Sequence, residues 1–261
     1  MLGEMNARTH EKVLALERAA FEAWQAEEIA LLGPWRLRAM HSVTNRANSV
    51  WAGPGEPADG FARAIAQVEA FYAARELPAI FQITPAADAR LDALLEARGY
   101  ERFDEVSFQT ARAEQIAKLE LREGVHATCG AALREAWFEL SGRRGRFRGD
   151  DVAVYRAFLE RIAPRAGYAS ARTAEGELGA VGLTIVAPPL AGVFSMLTLS
   201  EQRRRGLAEA VLGRIARFAL ARGAARLYLQ VEVESAPARA LYERAGFSEA
   251  YRYHYRRRAS P

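Results

Sequence analysis

The pattern of apolar and polar residues along the chain predicts a series of helices and strands. Near the N-terminus, Val13, Leu16, Ala20 and Trp24 recur at spacings of three and four, which indicates one buried helix face. Residues 225–234 alternate strictly, which predicts a strand. The same reasoning predicts helices over residues 9–28, 61–75, 87–98, 131–140, 152–162, 206–222 and 237–245, and strands over 79–84, 103–109, 168–173, 178–186, 192–199 and 251–255. This order is typical of an α/β protein with a mixed sheet.

The second half of the chain repeats the order of the first. At an offset of 147 residues, Gly99 aligns with Gly246, and each glycine ends a predicted helix that is followed by a strand. Identical residues are few, so the shared order of helix, strand, helix and strand carries most of the argument for a diverged tandem repeat. We therefore predict two domains, residues 1–113 and residues 114–261.

The composition is that of a globular protein without disulfides. Of the 261 residues, 50% are hydrophobic and 26% are charged. Cys129 is the only cysteine, so no internal disulfide can form. The net charge of +4 is spread along the chain and does not by itself indicate nucleic-acid binding. The four histidines lack metal-binding spacing, and we expect no metal site.

Residues 178–200 carry no charge, and a helix of this length could cross a bilayer. Pro188 and Pro189 lie at the centre of the segment and would break such a helix. We therefore expect two buried strands joined by a turn, and no membrane association. The N-terminal residues contain no apolar signal segment, so we expect a cytoplasmic protein.

A basic turn before a predicted helix is the first candidate for chemistry. The segment Arg203-Arg204-Arg205-Gly206-Leu207-Ala208 follows a predicted strand and opens the helix over 206–222. A helix start offers unpaired backbone N–H groups and partial positive charge, and glycine lets a ligand approach the backbone closely. The segment therefore predicts a pyrophosphate site. The alternative is a basic surface turn without a ligand.

A second motif follows about thirty residues later. Residues 235–247 read Ser-Ala-Pro-Ala-Arg-Ala-Leu-Tyr-Glu-Arg-Ala-Gly-Phe. Together the two motifs resemble the GNAT acetyltransferase superfamily, in which the first holds the coenzyme A pyrophosphate and the second lies along the pantetheine arm. Ser235 stands where the family usually has asparagine, which weakens one expected contact. The resemblance covers roughly residues 119–257.

The resemblance implies two tandem GNAT-like folds and roles for individual residues. In the family, the strand before the pyrophosphate loop parts from its neighbour, and its backbone holds the pantetheine and the acyl oxygen. Tyr242 would be the general acid for the leaving sulfur, with core packing as the alternative role. The expected coenzyme-binding residues are Met196, Leu197, Thr198, Arg203, Arg204, Arg205, Gly206, Leu207, Ala208, Ser235 and Ala238.

The general base is left open between two glutamates. Glu232 and Glu234 lie on the polar face of their predicted strand, and either could relay a proton through water. We favour Glu232 as the catalytic residue. The alternative is that both carboxylates are solvated or paired with arginine, as is common for such groups.

An arginine-rich loop lies where the family shapes its acceptor pocket. Arg143, Arg144, Arg146 and Arg148 would suit an anionic acceptor, because arginine binds carboxylates and phosphates in a bidentate manner. A solvated loop without a ligand is the alternative.

The first half resembles the same fold without its chemistry. Leu95 stands at the place of Tyr242 in the repeat alignment. In the corresponding loop, Glu56 and Asp59 would repel a phosphate and Pro57 lacks a backbone donor. We therefore expect no coenzyme binding in the first half.

These observations predict an N-acetyltransferase that uses acetyl-CoA. We expect it to move an acetyl group to a primary amine of a small molecule by direct attack in a ternary complex. A peptide N-terminus is a further possible acceptor. The first rival hypothesis is a catalytically silent acyl-CoA-binding partner protein. The second is a nucleic-acid-binding protein that uses its arginine-rich turns and tail, against which the lack of a dense basic stripe argues. A monomer or a homodimer fits the sequence.

Overall fold

A computed structural model describes residues 7–41, 44–143 and 151–258. The helices are α1 (Ala7–Ala23), α2 (Gly60–Ala73), α3 (Ala89–Ala97), α4 (Ala113–Ala117), α5 (Glu135–Gly142), α6 (Asp151–Ile162), α7 (Leu207–Leu220) and α8 (Ala236–Ala245). The strands are β1 (Glu28–Leu32), β2 (Trp35–Ala39), β3 (Val50–Trp51), β4 (Ile80–Ile83), β5 (Tyr100–Arg112), β6 (His126–Gly130), β7 (Ala166–Arg172), β8 (Leu178–Ala187), β9 (Leu190–Thr198), β10 (Arg226–Glu232) and β11 (Ser248–Arg258).

The chain forms two compact units that are not continuous in sequence. Unit 1 takes its described residues from Met1–Ser107, Glu232–Glu234 and Tyr251–Pro261. Unit 2 takes them from Phe108–Val231 and Ser235–Ala250. The domain boundary between residues 113 and 114 stays a prediction, because each compact unit contains segments from both sides of it.

Unit 1 contains strands in the order β1-β2-β3-β4-β11. β3 and β4 are parallel, whereas the other neighbouring pairs in this series are antiparallel. α2 and α3 bury their apolar faces in one core, which contains Trp35, Phe61, Tyr72, Phe81 and Leu95. The sheet and these two helices thus make the mixed α/β layer that the sequence predicts.

Unit 2 contains the strands β10-β9-β8-β7-β6 in that order. β10 and β9 are parallel, and the remaining neighbours are antiparallel. α7 buries the predicted stripe of Leu207, Val211, Ile215 and Phe218 in the core of this unit. Its core helix therefore starts at the end of the sheet where β9 ends.

The uncharged segment 178–200 folds as predicted. β8 and β9 run antiparallel, and Pro188 and Pro189 lie in the turn between them. Among the described residues, no helix is long and apolar enough to cross a membrane.

Helix bounds in the two halves follow the predicted offset. Gly60 and Ala73 bound α2, and Leu207 and Leu220, each 147 positions later, bound α7. α3 and α8 are related in the same way at their first residues, Ala89 and Ala236. This agreement supports the tandem repeat, which is a proposal about the origin of the two halves.

One carboxyl group of α1 lies in the interior of unit 1. Glu17 is buried, and its Oε2 accepts a hydrogen bond from Trp51 Nε1 at 2.6 Å. Burial raises the pKa of Glu17 from 4.5 to about 7, and hydrogen bonds from Thr84 and Trp51 and the charge of Arg38 offset only part of this rise. Since the folded-state pKa lies above the unfolded value, the stability that Glu17 contributes is present below pH 4.5 and is lost as the pH rises through about 7.

We predict that Glu17 lowers the free energy of unfolding by about 2–3 kcal/mol between pH 5 and pH 8. Glu17→Gln should remove most of this fall, because the amide stays neutral throughout. Urea unfolding at the two pH values measures the effect. Glu22→Gln, on the exposed face of the same helix, is the matched control and should retain the fall. A Glu17→Gln variant with the wild-type pH dependence would contradict the prediction.

Candidate active site

Two parallel strands of unit 2 part from each other towards their C-terminal ends. β9 and β10 pair from Leu190 to Gly192 and from Arg226 to Tyr228. Beyond these residues β9 continues to Thr198, but no further register partners join the two strands in the described chain. The end of pairing leaves the last residues of β9 without a partner strand on this edge, which we call the opening between β9 and β10, and the family resemblance implies such an opening.

Backbone groups of β9 face this opening. Leu199 N donates to Gly179 O at 2.9 Å, so the backbone of Leu199 faces β8. Successive residues of a strand direct their N–H and C=O groups to opposite edges. Thr198 and Met196 therefore direct theirs towards β10, where pairing has ended. Both residues, like Leu197, are half-buried, which leaves the segment accessible to a ligand.

The start of α7 offers donors to an anion. Gly206 has φ +85°, a left-handed conformation that favours glycine, and it caps the helix without a side-chain hydrogen bond. Ala210 N donates the first helical hydrogen bond to Gly206 O at 3.0 Å. Hence the N–H groups of Leu207 and Ala208 have no acceptor within the helix. The exposed side chains of Arg203, Arg204 and Arg205 precede this helix start.

One further arginine at this turn escaped the sequence analysis. Arg122 Nη1 donates to Arg204 O at 3.2 Å, and Arg122 Nη2 lies 3.6 Å from Glu209 Oε2. Arg244 of α8 lies 3.8 Å from the other oxygen of Glu209. Arg122 belongs to a polar segment without periodicity, 82 residues before its partner, so no local signal marks it.

The second motif forms α8. Ser235 is the N-cap residue, and its side chain makes no capping hydrogen bond. Tyr242 is 8% exposed and packs edge-on against Phe247 with ring centroids 5.9 Å apart. Tyr242 and Leu207 share one apolar cluster, and Met196 and Ala238 pack against it. The structure therefore places residues of both motifs and of β9 in or against the apolar core of unit 2.

The other predicted site residues offer only a backbone, lie at the surface or fall outside the described residues. The Leu207 side chain is part of the core, so only its backbone is available to a ligand. Glu232 ends β10, is exposed, and belongs to unit 1. Arg143 is exposed at the end of α5. The remaining loop arginines, Arg144, Arg146 and Arg148, lie outside the described residues. Within the described ranges, no group of three His, Cys, Asp or Glu residues could hold a metal ion.

Comparisons with known proteins identify the family of this chain. A family model described as "Probable histone acetyltransferase Rv0428c C-terminal" matches residues 11–256. YobR of Bacillus subtilis, described as an uncharacterized N-acetyltransferase, is 29% identical over 242 residues, which are 92% of this chain and 96% of YobR.

Solved structures share the fold. A GCN5-related N-acetyltransferase from Kribbella flavida has a TM-score of 0.71 at 16% identity and covers 100% of this chain and 98% of its own. A tandem GNAT protein from the clavulanic acid biosynthesis pathway has a TM-score of 0.64 at 15% identity, with 94% of this chain and 88% of its own covered.

Fold and site together define an N-acetyltransferase of the GNAT type, which confirms the resemblance, the mixed α/β fold and the enzyme class predicted from sequence. More particularly, the chain belongs to the family described as Probable histone acetyltransferase Rv0428c C-terminal, whose model spans nearly all of it. Membership of this class of enzyme suggests that the acyl donor is an acyl-coenzyme A.

We predict that Gly206→Ala weakens coenzyme A binding about tenfold, because a β-carbon disfavours the left-handed φ and would lie 2.6 Å from Arg122 Cδ. Calorimetric titration with coenzyme A measures the affinity. Gly223→Ala is the matched control: Gly223 follows the same helix, has φ +84° and would contact only Pro188 atoms at 3.7 Å or more. Equal losses of affinity in both variants would show that the helix start is not the binding site.

Proposed function

We propose that the protein is an acetyl-CoA-dependent N-acetyltransferase that acetylates a primary amine of a small molecule by direct attack in a ternary complex. The opening between β9 and β10 carries the proposal, because it leaves backbone groups of β9 directed at a ligand beside the start of α7. Bound acetyl-CoA supplies an activated thioester carbonyl to this site.

The residues present fit such a donor. The N–H groups of Leu207 and Ala208, with the three preceding arginines, would hold the pyrophosphate. The backbones of Met196 and Thr198 would hold the pantetheine arm, since peptide groups at an open strand edge pair readily with amides. The backbone of Leu197, which was also expected to bind the coenzyme, faces Val181 of β8 instead. Ser235 is the N-cap residue of α8, and Ala238 lies three positions later on the same side of the helix.

The chain's own groups account for the chemistry of transfer. Backbone N–H groups of β9 aimed at the carbonyl oxygen stabilise the negative charge that develops there. The Tyr242 hydroxyl is the proton donor for the sulfur, and its burial at 8% exposure keeps bulk water away. Glu232 is the proposed base, which takes a proton from the amine through water.

A carboxylate at the start of α2 supports one coenzyme site per chain. Gly60 has φ +80°, close to that of Gly206. However, Phe61 N donates to Glu56 Oε1 at 3.1 Å, and Arg90 Nη2 lies 3.1 Å from Glu56 Oε2. An internal anion thus takes the backbone donor and the cation that a phosphate would need.

Titration of the protein with acetyl-CoA should therefore give one site per chain. The measurement is calorimetric, at protein concentrations that define the stoichiometry. Two sites per chain would show that Glu56 does not prevent coenzyme binding at the start of α2. Absence of binding at millimolar acetyl-CoA would overturn the enzyme hypothesis and shift the weight to a partner-binding or nucleic-acid role.

We expect Tyr242→Phe to lower kcat about a hundredfold with acetyl-CoA affinity nearly unchanged, because only the proton donor is removed. The assay follows release of the free thiol from acetyl-CoA with a panel of amines. Tyr72→Phe is the control, since the Tyr72 hydroxyl bonds the Arg38 backbone in unit 1. A wild type that binds acetyl-CoA without turning over any amine would instead identify a silent acyl-CoA-binding protein.

A protein amine is the second candidate acceptor. The family description names a histone acetyltransferase, which is a statement about that family. Basic peptides with free N-termini or lysine side chains therefore belong in the same amine panel. Turnover of peptides with none of the small amines would replace the small-molecule proposal.

A further inference from the structure

A bulge in β9 immediately precedes the segment proposed to bind the thioester. Val181 of β8 pairs with Leu197 of β9, and Leu183 of β8 pairs with Phe194 of β9. Ser195 and Met196 therefore lie together opposite a single residue of β8. Ser195 has φ +47°, the left-handed region that a residue other than glycine rarely adopts. Such a conformation persists only where surrounding contacts hold it.

The contact that holds the bulge comes from α6. The Tyr155 hydroxyl and Ser195 Oγ are 3.1 Å apart. Tyr155 is 1% exposed, and its ring stacks with Phe138 and Phe158 at centroid distances of 6.0 and 6.4 Å. Burial raises the pKa of Tyr155, so its hydroxyl stays protonated. A rigid aromatic cluster thus fixes one hydroxyl against the strained residue.

The bulge decides which residues of β9 face the opening. Adjacent strand residues face opposite edges, so an extra residue reverses the edge to which all later residues direct their backbone groups. With the bulge at Ser195, the N–H groups of Met196 and Thr198 face the side where β10 pairing has ended. Loss of the bulge would direct Leu197 there instead.

We propose that Tyr155 is a positioning residue for acyl transfer: through Ser195 it holds the bulge that aims the backbone of Met196 and Thr198 at the thioester. The inference rests on the proposed function, and it adds a residue from outside both coenzyme motifs. The pyrophosphate contacts at α7 do not depend on the bulge. Loss of the Tyr155 hydroxyl should therefore weaken the contacts of β9 with the acyl group and with the adjoining pantetheine arm, and leave the pyrophosphate contacts intact.

The first experiment compares Tyr155→Phe with Tyr168→Phe. Tyr168 is also buried, and its hydroxyl donates to Leu159 O at 2.9 Å, away from β9. Calorimetry gives the affinities for acetyl-CoA and for free coenzyme A, and the thiol assay gives kcat. We expect Tyr155→Phe to lower kcat about tenfold or more and to weaken acetyl-CoA binding more than coenzyme A binding, because only acetyl-CoA carries the carbonyl group that the bulge positions. Tyr168→Phe should match wild type in each.

Ser195→Ala and the double variant that combines it with Tyr155→Phe test whether the hydroxyls of Tyr155 and Ser195 act as a unit. If they do, the double variant has the kcat of Tyr155→Phe alone, because removal of either hydroxyl breaks the same contact. Multiplicative losses, or equal losses in Tyr168→Phe, would overturn the inference. If the wild type binds neither ligand, the proposed function fails as well. If the wild type prefers acetyl-CoA and Tyr155→Phe retains both preference and kcat, only this inference fails.

Discussion

The loss of pairing between β9 and β10 is the constraint on which the site depends. Backbone N–H and C=O groups need partners, and within a sheet the neighbouring strand supplies them. From Val193 onwards β9 keeps its partner β8 on one edge, while pairing with β10 on the other edge has stopped. Peptide groups on that edge can be satisfied by water or by a ligand with amides of its own. Because α7 begins nine residues after Thr198, the helix start that is proposed to bind the pyrophosphate follows this edge closely along the chain.

Local regularities of the sequence were sufficient for most of the fold. The buried stripe of α7 and the inward face of α1 follow from residue spacing, since an amphipathic helix in either unit must bury one side. Edge strands were harder. The predicted helix 9–28 stops at the first residue of β1, and no element is predicted over the rest of β1 or over β6, because both strands are short and dominated by exposed residues. The predicted domain boundary falls at the start of α4, a short helix in which Ile116 is fully buried.

The candidate site was likewise predictable only in part. The turn 203–208 and the helix residues 235–247 were identifiable because each is a continuous motif. Contacts between distant residues were not, since Arg122 reaches Arg204 over 82 positions and Tyr155 reaches Ser195 over 40. In sequence, Tyr155 is one more aromatic residue on the buried face of a helix. Only the packing of α6 shows that the Tyr155 hydroxyl meets the strained residue Ser195. The Tyr168 hydroxyl, by contrast, donates to a backbone carbonyl.

Unit 1 shows how the same arrangement of helices and strands can close a site with its own side chains. Arg38 is fully enclosed there: its Nη2 donates to Gln82 Oε1 and to Ser49 Oγ, each at 2.7 Å. β3 and β4 pair where these polar side chains lie, and Glu56 takes the backbone donor at the start of α2. The side chains of Arg38, Gln82 and Glu56 are therefore satisfied by other groups of unit 1, as burial requires. In unit 2 the N–H groups at the start of α7 have no acceptor within the helix, and the edge of β9 beyond Gly192 has no strand partner in the described chain. This difference in hydrogen-bond satisfaction is the physical basis for proposing a coenzyme site in unit 2 and none in unit 1.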